Sequence, residues 1–452
     1  MCDNDKKYAM YFPNMIDSRK DLFKNFYEIR FLNDLPVTKK NRFTIGFHPL
    51  IASYVLRHIL WEILNCPGGN QFKKIEKYTI NNEMYNKTLN IFNSIYLEGI
   101  KNNIIFSYDK NFRTGSSESS YSGLTNAKML YIYSYYNLIN KSEKYNKFCD
   151  NILNSLLLDM DKGGCCIKYS NNQLWIDEEA NYPNFILNGF LSIIRNFIDL
   201  VECVNNTKVE NILLQNKNIL ENLLPLFDCE KYKTSKYRLT TYGIIKLTIK
   251  SNNNVKLDPN DVKIKLIYND EYNDKYTYLI KNTNSSALHD GRLTFQNNFK
   301  IINDVIYIHF IASELFQNKI ELSFTKNNCN ITKFEISQYR TGGADNMGTS
   351  KCLVNFKSID FKYIKINNKF IININNLVEY FEPSITYFTK EYNKKLYNVY
   401  HYNHIDNLKY VNKYFKSNII NNYINKWIKY TTEWKDYKLF SNIKNVSLLP
   451  IN

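Results

Sequence analysis

Three short stretches of this 452-residue chain gather side chains that can move protons or hold anions. Asp177-Glu178-Glu179 sets three carboxylates in a row. Tyr237-Arg238 puts a phenol beside a guanidinium. Tyr400-His401 and, three residues on, His404 add a phenol and two imidazoles. Carboxylate, phenol and imidazole act as general acids and bases once burial and nearby charge tune them. A guanidinium fork fits a carboxylate through two hydrogen bonds. Each stretch also has a plainer reading. Consecutive acidic residues are most often an exposed turn. His401 and His404 have the spacing of two metal ligands, but no third ligand accompanies them, so no metal site is predicted. Asn188 lies in an apolar helical pattern, where a buried amide must find partners with or without a site. Trp175, Tyr121 and Tyr400 can stack on sugar rings or pack in a core. The vicinal pair Cys165-Cys166 has no matched His/Asp pattern and is not predicted to be a nucleophile. The Gly-rich stretch 341–348 matches no phosphate-binding motif.

The elements that must position these residues change character along the chain. Residues 1–43 are polar and mixed, and read as an N-terminal arm. Apolar residues three and four apart predict helices over 48–64, 81–99, 121–138, 143–157, from Pro183 to about 201, and 208–226. Helix hairpins of this kind stack into bundles or α/α toroids. Near residue 240 the pattern becomes short runs rich in Ile, Val, Phe and Tyr, separated by Asn/Asp turns. Runs such as 244–249, 262–267, 305–310 and 320–324 predict strands of a sandwich or barrel. Helical periodicity returns near 404, and Tyr423, Trp427 and Tyr430 mark a last amphipathic helix. The expected fold is therefore α+β and multidomain: an α/α toroid-like helical domain interrupted by an inserted β-sandwich-like domain. The arm covers 1–43, the helical domain 44–240 and 396–452, and the insertion 241–395. Domains whose ends lie close together are readily inserted into loops.

Composition bounds the function classes. Hydrophobic residues make up 44% and charged residues 23%, enough apolar content for a buried core. The abundance of Asn, Lys, Ile and Tyr reflects an AT-rich source genome. The formal net charge of +16 favours anionic partners. The lysines are dispersed, with no dense basic block and no nucleic-acid motif, so nucleic acid is not the predicted partner. The nine cysteines lack framework spacing and read as reduced. No apolar run approaches the roughly 20 residues that span a bilayer. The polar start has no apolar signal core. These features predict a cytoplasmic chain of microbial or viral type, with a homodimer as the candidate assembly.

Five pieces of the sequence, in order, resemble the C-terminal helical domain of the glucuronyl C5-epimerase family. The longest is 175–200, W-I-D-E-E-A-N-Y-P-N-F-I-L-N-G-F-L-S-I-I-R-N-F-I-D-L, similar to the family's W-Y-E-E-Y-P, gap, V-L-N-G-F and Y-D-L. Phe106-Ser107-Tyr108-Asp109 resembles its early aromatic-Asp segment, and Tyr121-Ser122-Gly123-Leu124 its Y-S-G/A-M turn. Residues 223–228, L-P-L-F-D preceded by Leu, resemble its L-P-L-Y-D. Residues 400–408, Y-H-Y-N-H-I-D-N-L, resemble its Y-H-x-x-H-I-x-Q-L. The resemblance covers roughly 45–240 and 395–435.

The resemblance implies inversion at carbon 5 of a hexuronate in an acidic, heparosan-like glycan, D-glucuronate becoming L-iduronate, without a cofactor. A base removes the proton alpha to the carboxylate, and an acid returns one on the opposite face. Donors must meet the charge that builds on the carboxylate. By the same resemblance Glu178 is the base or its partner, Tyr400 the other proton carrier, and Tyr237 a further candidate. Arg238 holds substrate, and His401, His404 and Asn188 orient substrate or support the pocket; Tyr121 and Trp175 are candidate sugar contacts by their residue type. Two departures stand out. The family's Tyr after E-E is Glu179 here, with Tyr182 three residues later as its substitute. The family's Y-D-L-R is Tyr237-Arg238-Leu239. The alternatives are an inactive glycan-binding or structural protein on the same fold, and a uronate polysaccharide lyase.

Overall fold

The structure, a computed structural model, describes residues 3–39, 45–66, 72–101, 106–108, 120–170, 172–180, 182–251, 256–269, 274–282, 298–325, 329–338, 356–375, 390–392, 395–397 and 399–434. Asp109, most of the Gly/Ser loop 113–120 and the Gly-rich stretch 341–348 lie outside them. The chain is α+β. Among the described residues ten α-helices form: α1 (Asp3–Tyr11), α2 (Asp17–Asp21), α3 (Pro49–Ile63), α4 (Asn82–Ile100), α5 (Gly123–Asn140), α6 (Glu143–Leu156), α7 (Leu187–Val204), α8 (Glu210–Phe227), α9 (Val399–Phe415) and α10 (Asn418–Glu433). None of them is long and apolar enough to cross a membrane. Two compact units divide the chain. One comprises Met1–Tyr182, Gly189–Asn222 and Lys409–Ser417; the other comprises Pro183–Asn188, Leu223–Leu408 and Asn418–Asn452.

The first unit is mainly helical. Pro49 opens α3 at a position whose N–H would lack a helical partner. Ile51, Val55, Ile59 and Ile63, four apart, are all buried. Asn81 caps α4 by accepting the Met84 N–H at 3.1 Å, and Ser122 caps α5 by accepting that of Thr125 at 3.3 Å. Phe92 of α4 stacks on Tyr136 of α5 with centroids 3.6 Å apart. The expected arm departs from its sequence reading. Its described residues form α1, α2 and two strands (Arg30–Leu32, Leu35–Lys39), which join Ile45–Phe47, just beyond it, in a three-stranded antiparallel sheet. Tyr8, Tyr11 and Phe12 line one side of the turn that ends α1, and are buried with Phe23 and Phe31. This aromatic stripe outweighs the polarity of the surrounding lysines and aspartates.

The second unit is built on a ten-stranded sheet. Its strands are β1 (Thr240–Ser251), β2 (Val262–Asn269), β3 (Asp274–Asn282), β4 (Asn298–Ile302), β5 (Val305–Ser313), β6 (Gln317–Phe324), β7 (Cys329–Gln338), β8 (Lys357–Ser358), β9 (Ile364–Ile366) and β10 (Lys369–Asn373). Their order is β8-β7-β1-β5-β4-β3-β2-β6-β10-β9. All neighbours are antiparallel except β3 and β4, which meet in parallel through two residue pairs. Alternation sets the register. Ile264, Leu322 and Phe370 stand opposite one another on β2, β6 and β10, as do Leu266, Ile320 and Ile372, and all six are buried. A one-residue slip would turn these rows to solvent.

Candidate active site

The acidic stretch leaves a two-stranded hairpin, Cys166–Ser170 with Gln173–Ile176. Backbone bonds then stitch it to the start of α5. The Asp177 N–H donates to the Cys165 carbonyl at 2.8 Å, Gly123 N–H to the Glu178 carbonyl at 3.1 Å, and Ala180 N–H to the Tyr121 carbonyl at 3.1 Å. The Asp177 carboxylate accepts the Glu178 N–H at 2.8 Å. Two glycines make the close fit sterically feasible. A Cβ at Gly123 would lie 2.3 Å from the Asp177 carbonyl oxygen. A Cβ at Gly189, in the first turn of α7, would lie 2.6 Å from both Cβ and Oε2 of Glu178. Asp177 is 0% and Glu178 4% exposed, so this is not the exposed turn that the residue types alone favour. The positive N-terminal end of α7 faces the Glu178 carboxylate, which offsets part of the cost of burying it.

Other predicted residues of this unit take different roles. Glu179 and Tyr182 are half-buried. Tyr121 is buried, its hydroxyl has no hydrogen-bond partner among the described residues, and burial, reinforced by Cys165, pushes its proton affinity well up. Trp175 corrects the expectation of a sugar platform. It has no exposed surface, and its ring stacks on Phe190 at 3.7 Å and 19°. Two large apolar rings gain more by packing in the core than by facing water. Burial also lifts the Cys165 thiol well above its usual range.

The second unit gathers the other predicted group. The Tyr237 and Tyr400 rings meet edge to face, 4.7 Å and 72° apart. The Arg238 guanidinium lies 5.7 Å from the Tyr237 ring. The Leu187 N–H donates to the Tyr237 carbonyl at 3.0 Å, and Ile186 bridges to Arg238. Half-buried Asn188 follows directly on this pairing.

The histidines also depart from the substrate-contact expectation: both have no exposed surface. His401 Nε2–H donates to the Trp427 carbonyl at 3.0 Å, and its Nδ1 accepts the Ser235 N–H at 3.0 Å. Those backbone partners set its tautomer. The Ser235 hydroxyl lies 2.7 Å from His404 Nδ1 and 2.9 Å from His401 Nδ1. Burial pushes His401 down to about 4, opposed by the Trp427 carbonyl and Asp228. Burial, then His401, pushes His404 well down. The pair is a neutral internal clamp. Asp228 anchors the same region by accepting from Lys426 Nζ at 2.7 Å, Trp427 Nε1 at 2.9 Å and the Tyr430 hydroxyl at 3.1 Å. Among the described residues no group of three His, Cys, Asp or Glu side chains could hold a metal ion.

Sequence reasoning missed a cluster in the first unit. Tyr410 of α9 donates its hydroxyl to Asp199 of α7 at 2.5 Å. The Arg195 guanidinium lies 4.3 Å from the Tyr410 ring centroid. Burial lifts the Asp199 carboxyl to about 6, opposed by the Tyr410 hydrogen bond, Arg57 and Arg195. Lys128 of α5 is pushed down to about 8 by burial, Arg57 and Arg195, opposed by Glu178 and Asp199. These residues come from four helices far apart in sequence, so no local spacing announces them.

No curated protein matches the chain. The family model of the D-glucuronyl C5-epimerase C-terminus matches residues 98–285. The match takes in Tyr121, Glu178, Asn188, Tyr237 and Arg238, continues into β1, β2 and β3, and stops short of Tyr400. Residues 98–285 of this chain are thus similar to the C-terminal domain of the D-glucuronyl C5-epimerase family.

Proposed function

We propose that the chain is a uronyl C5-epimerase acting on a hexuronate within an acidic glycan, of the D-glucuronate to L-iduronate type. Proton removal and return leave the oxidation state of the sugar unchanged, so the reaction requires no redox cofactor. The observation that carries the reading is Glu178: a carboxylate inside the family-matched segment, buried at the head of α7 on a glycine that leaves it room. A carboxylate held in a fixed position out of water is suited to taking a carbon-bound proton.

We assign Glu178 to proton transfer, with Glu179 and Tyr182 as its neighbours in the chain. We assign Tyr400, supported by Tyr237, the role of phenolic proton carrier, and Arg238 that of holding a carboxylate. The Tyr400 assignment comes from the motif resemblance of residues 400–408 and from the Tyr237–Arg238 arrangement within its own unit. The reading carries with it the toroid-like helical domain, the sandwich-like insertion, a cytoplasmic setting and a polyanionic glycan drawn by the net charge of +16.

The test is deuterium incorporation at carbon 5 of a non-sulfated glucuronate polymer in deuterated water, read by NMR. Incorporation with iduronate appearing supports the epimerase. Incorporation with chain cleavage and an ultraviolet-absorbing unsaturated product makes the chain a lyase. Binding without exchange makes it an inactive glycan-binding protein, the reading that Glu179 in place of the family's Tyr would then explain.

A further inference from the structure

Arg57, Lys128 and Arg195 stand on α3, α5 and α7 of the first unit, and each is half-buried. Lys128 feels the charges of both arginines, of Glu178 and of Asp199. Each cation rests on aromatic rings. The Arg57 guanidinium lies 5.3 Å from the Trp61 centroid and 5.9 Å from that of Phe72. Lys128 Nζ lies 5.6 Å from the Tyr54 ring, and Arg195 4.3 Å from that of Tyr410. A guanidinium stacked by its face keeps its N–H edge for an anion.

The local carboxylates do not pair off Arg57 or Lys128. Among the described residues Arg57 and Lys128 make no ion pair, and the Arg57 Nε is buried without an acceptor. Asp199 accepts from Tyr410. Glu178 is packed on Gly189. A half-buried positive charge without a counter-ion is costly, and two in one cluster also repel each other. A bound anion relieves both costs. The half-exposed tyrosines Tyr54 and Tyr410 give it the flat apolar walls on which a sugar ring rests.

We propose that Arg57, Lys128 and Arg195 form an oxyanion-recognition site for an acidic group carried on a sugar, a carboxylate or a sulfate ester. The ligand class rests on the functional reading above; the site itself rests on the arrangement of the cations. Lys128 and Arg57 are assigned to binding and specificity, not to proton transfer.

The test is isothermal titration of the full chain with three probes: a non-sulfated glucuronate oligosaccharide, the same oligosaccharide with its carboxyls reduced to alcohols, and inorganic sulfate. The wild type is expected to bind the first at least tenfold more tightly than the second. Lys128→Met and Arg57→Met are each expected to remove that difference, and Lys128→Arg to restore most of it. Because Arg57 packs on two rings, Lys128→Met is the variant less exposed to a folding defect, and its thermal melt is recorded alongside. Displacement of the oligosaccharide by sulfate extends the site to sulfate esters; lack of displacement assigns it to carboxylate. Unchanged discrimination in both Met variants, or no binding of any probe by the wild type, overturns the proposal. Carbon-5 exchange by a wild type whose variants discriminate normally would sink this site alone. Discrimination lost in the variants of a chain that never exchanges would keep the site and sink the epimerase.

Discussion

Glu178 lies so close to Gly189 that any side chain at 189 would collide with it: an added Cβ would stand 2.6 Å from both its Cβ and its Oε2. Gly189→Ala therefore sets two effects against each other. Alanine inside a helix gains about 1 kcal/mol over glycine, and overpacking costs about 1–3 kcal/mol. At this distance the clash wins, and Glu178 is the side chain that must move. The expected outcome is a net loss of up to about 2 kcal/mol in chemical denaturation, with carbon-5 exchange falling more than tenfold. Wild-type exchange in Gly189→Ala would show that the position of Glu178 does not matter.

Asp228 takes hydrogen bonds from Lys426, Trp427 and Tyr430 and so fastens α10 to the hairpin that follows α8. Its removal leaves the indole N–H and the phenol short of an acceptor. Asp228→Ala is expected to cost about 2–4 kcal/mol, and Tyr430→Phe about 1 kcal/mol, in urea unfolding. Equal, small losses in the two would mean that the carboxylate is not the anchor.

The histidine clamp makes a pH-dependent contribution whose sign follows from its neutral folded form. His401 titrates near 4 when folded and near 6.5 when unfolded. Its contribution is full above pH 6.5 and is lost as pH falls through about 4, with a span of about 3 kcal/mol. His404 is shifted in the same sense. Asp199 acts oppositely: its folded carboxyl is raised to about 6, so its contribution is present below its unfolded value and fades as pH rises through 6. The histidine share is therefore read as a difference. A His401→Asn/His404→Asn double variant should be less stable than the wild type at pH 7, and the gap should narrow toward pH 4. A gap that stays constant across this range would contradict the neutral clamp.

Local patterns disclosed some of this molecule and missed the rest for identifiable reasons. The four-residue spacing of Ile51, Val55, Ile59 and Ile63 announces α3, because one buried stripe is enough to define a helix. The apolar runs at 262–267, 305–310 and 320–324 fall within β2, β5 and β6. The parallel meeting of β3 with β4 was not legible, since it rests on only two residue pairs, Lys281 with Asn298 and Asn282 with Phe299. Glu178 stood out because it sits in a motif whose neighbour Gly189 is also in that motif. Ser235, which joins His401 to His404 across more than 160 residues, carries no mark of its role. Arg57, Lys128, Arg195, Asp199 and Tyr410 likewise become a cluster only after four helices have packed.

The most direct test of the account is the rate of deuterium incorporation at carbon 5 of a glucuronate oligosaccharide, compared between the wild type and Glu178→Gln. Glutamine keeps the shape of Glu178 and removes its basicity, so the thermal melt should shift little. The account predicts measurable exchange in the wild type and a loss of about 10²–10⁴-fold in the variant. Exchange by Glu178→Gln at the wild-type rate would contradict it.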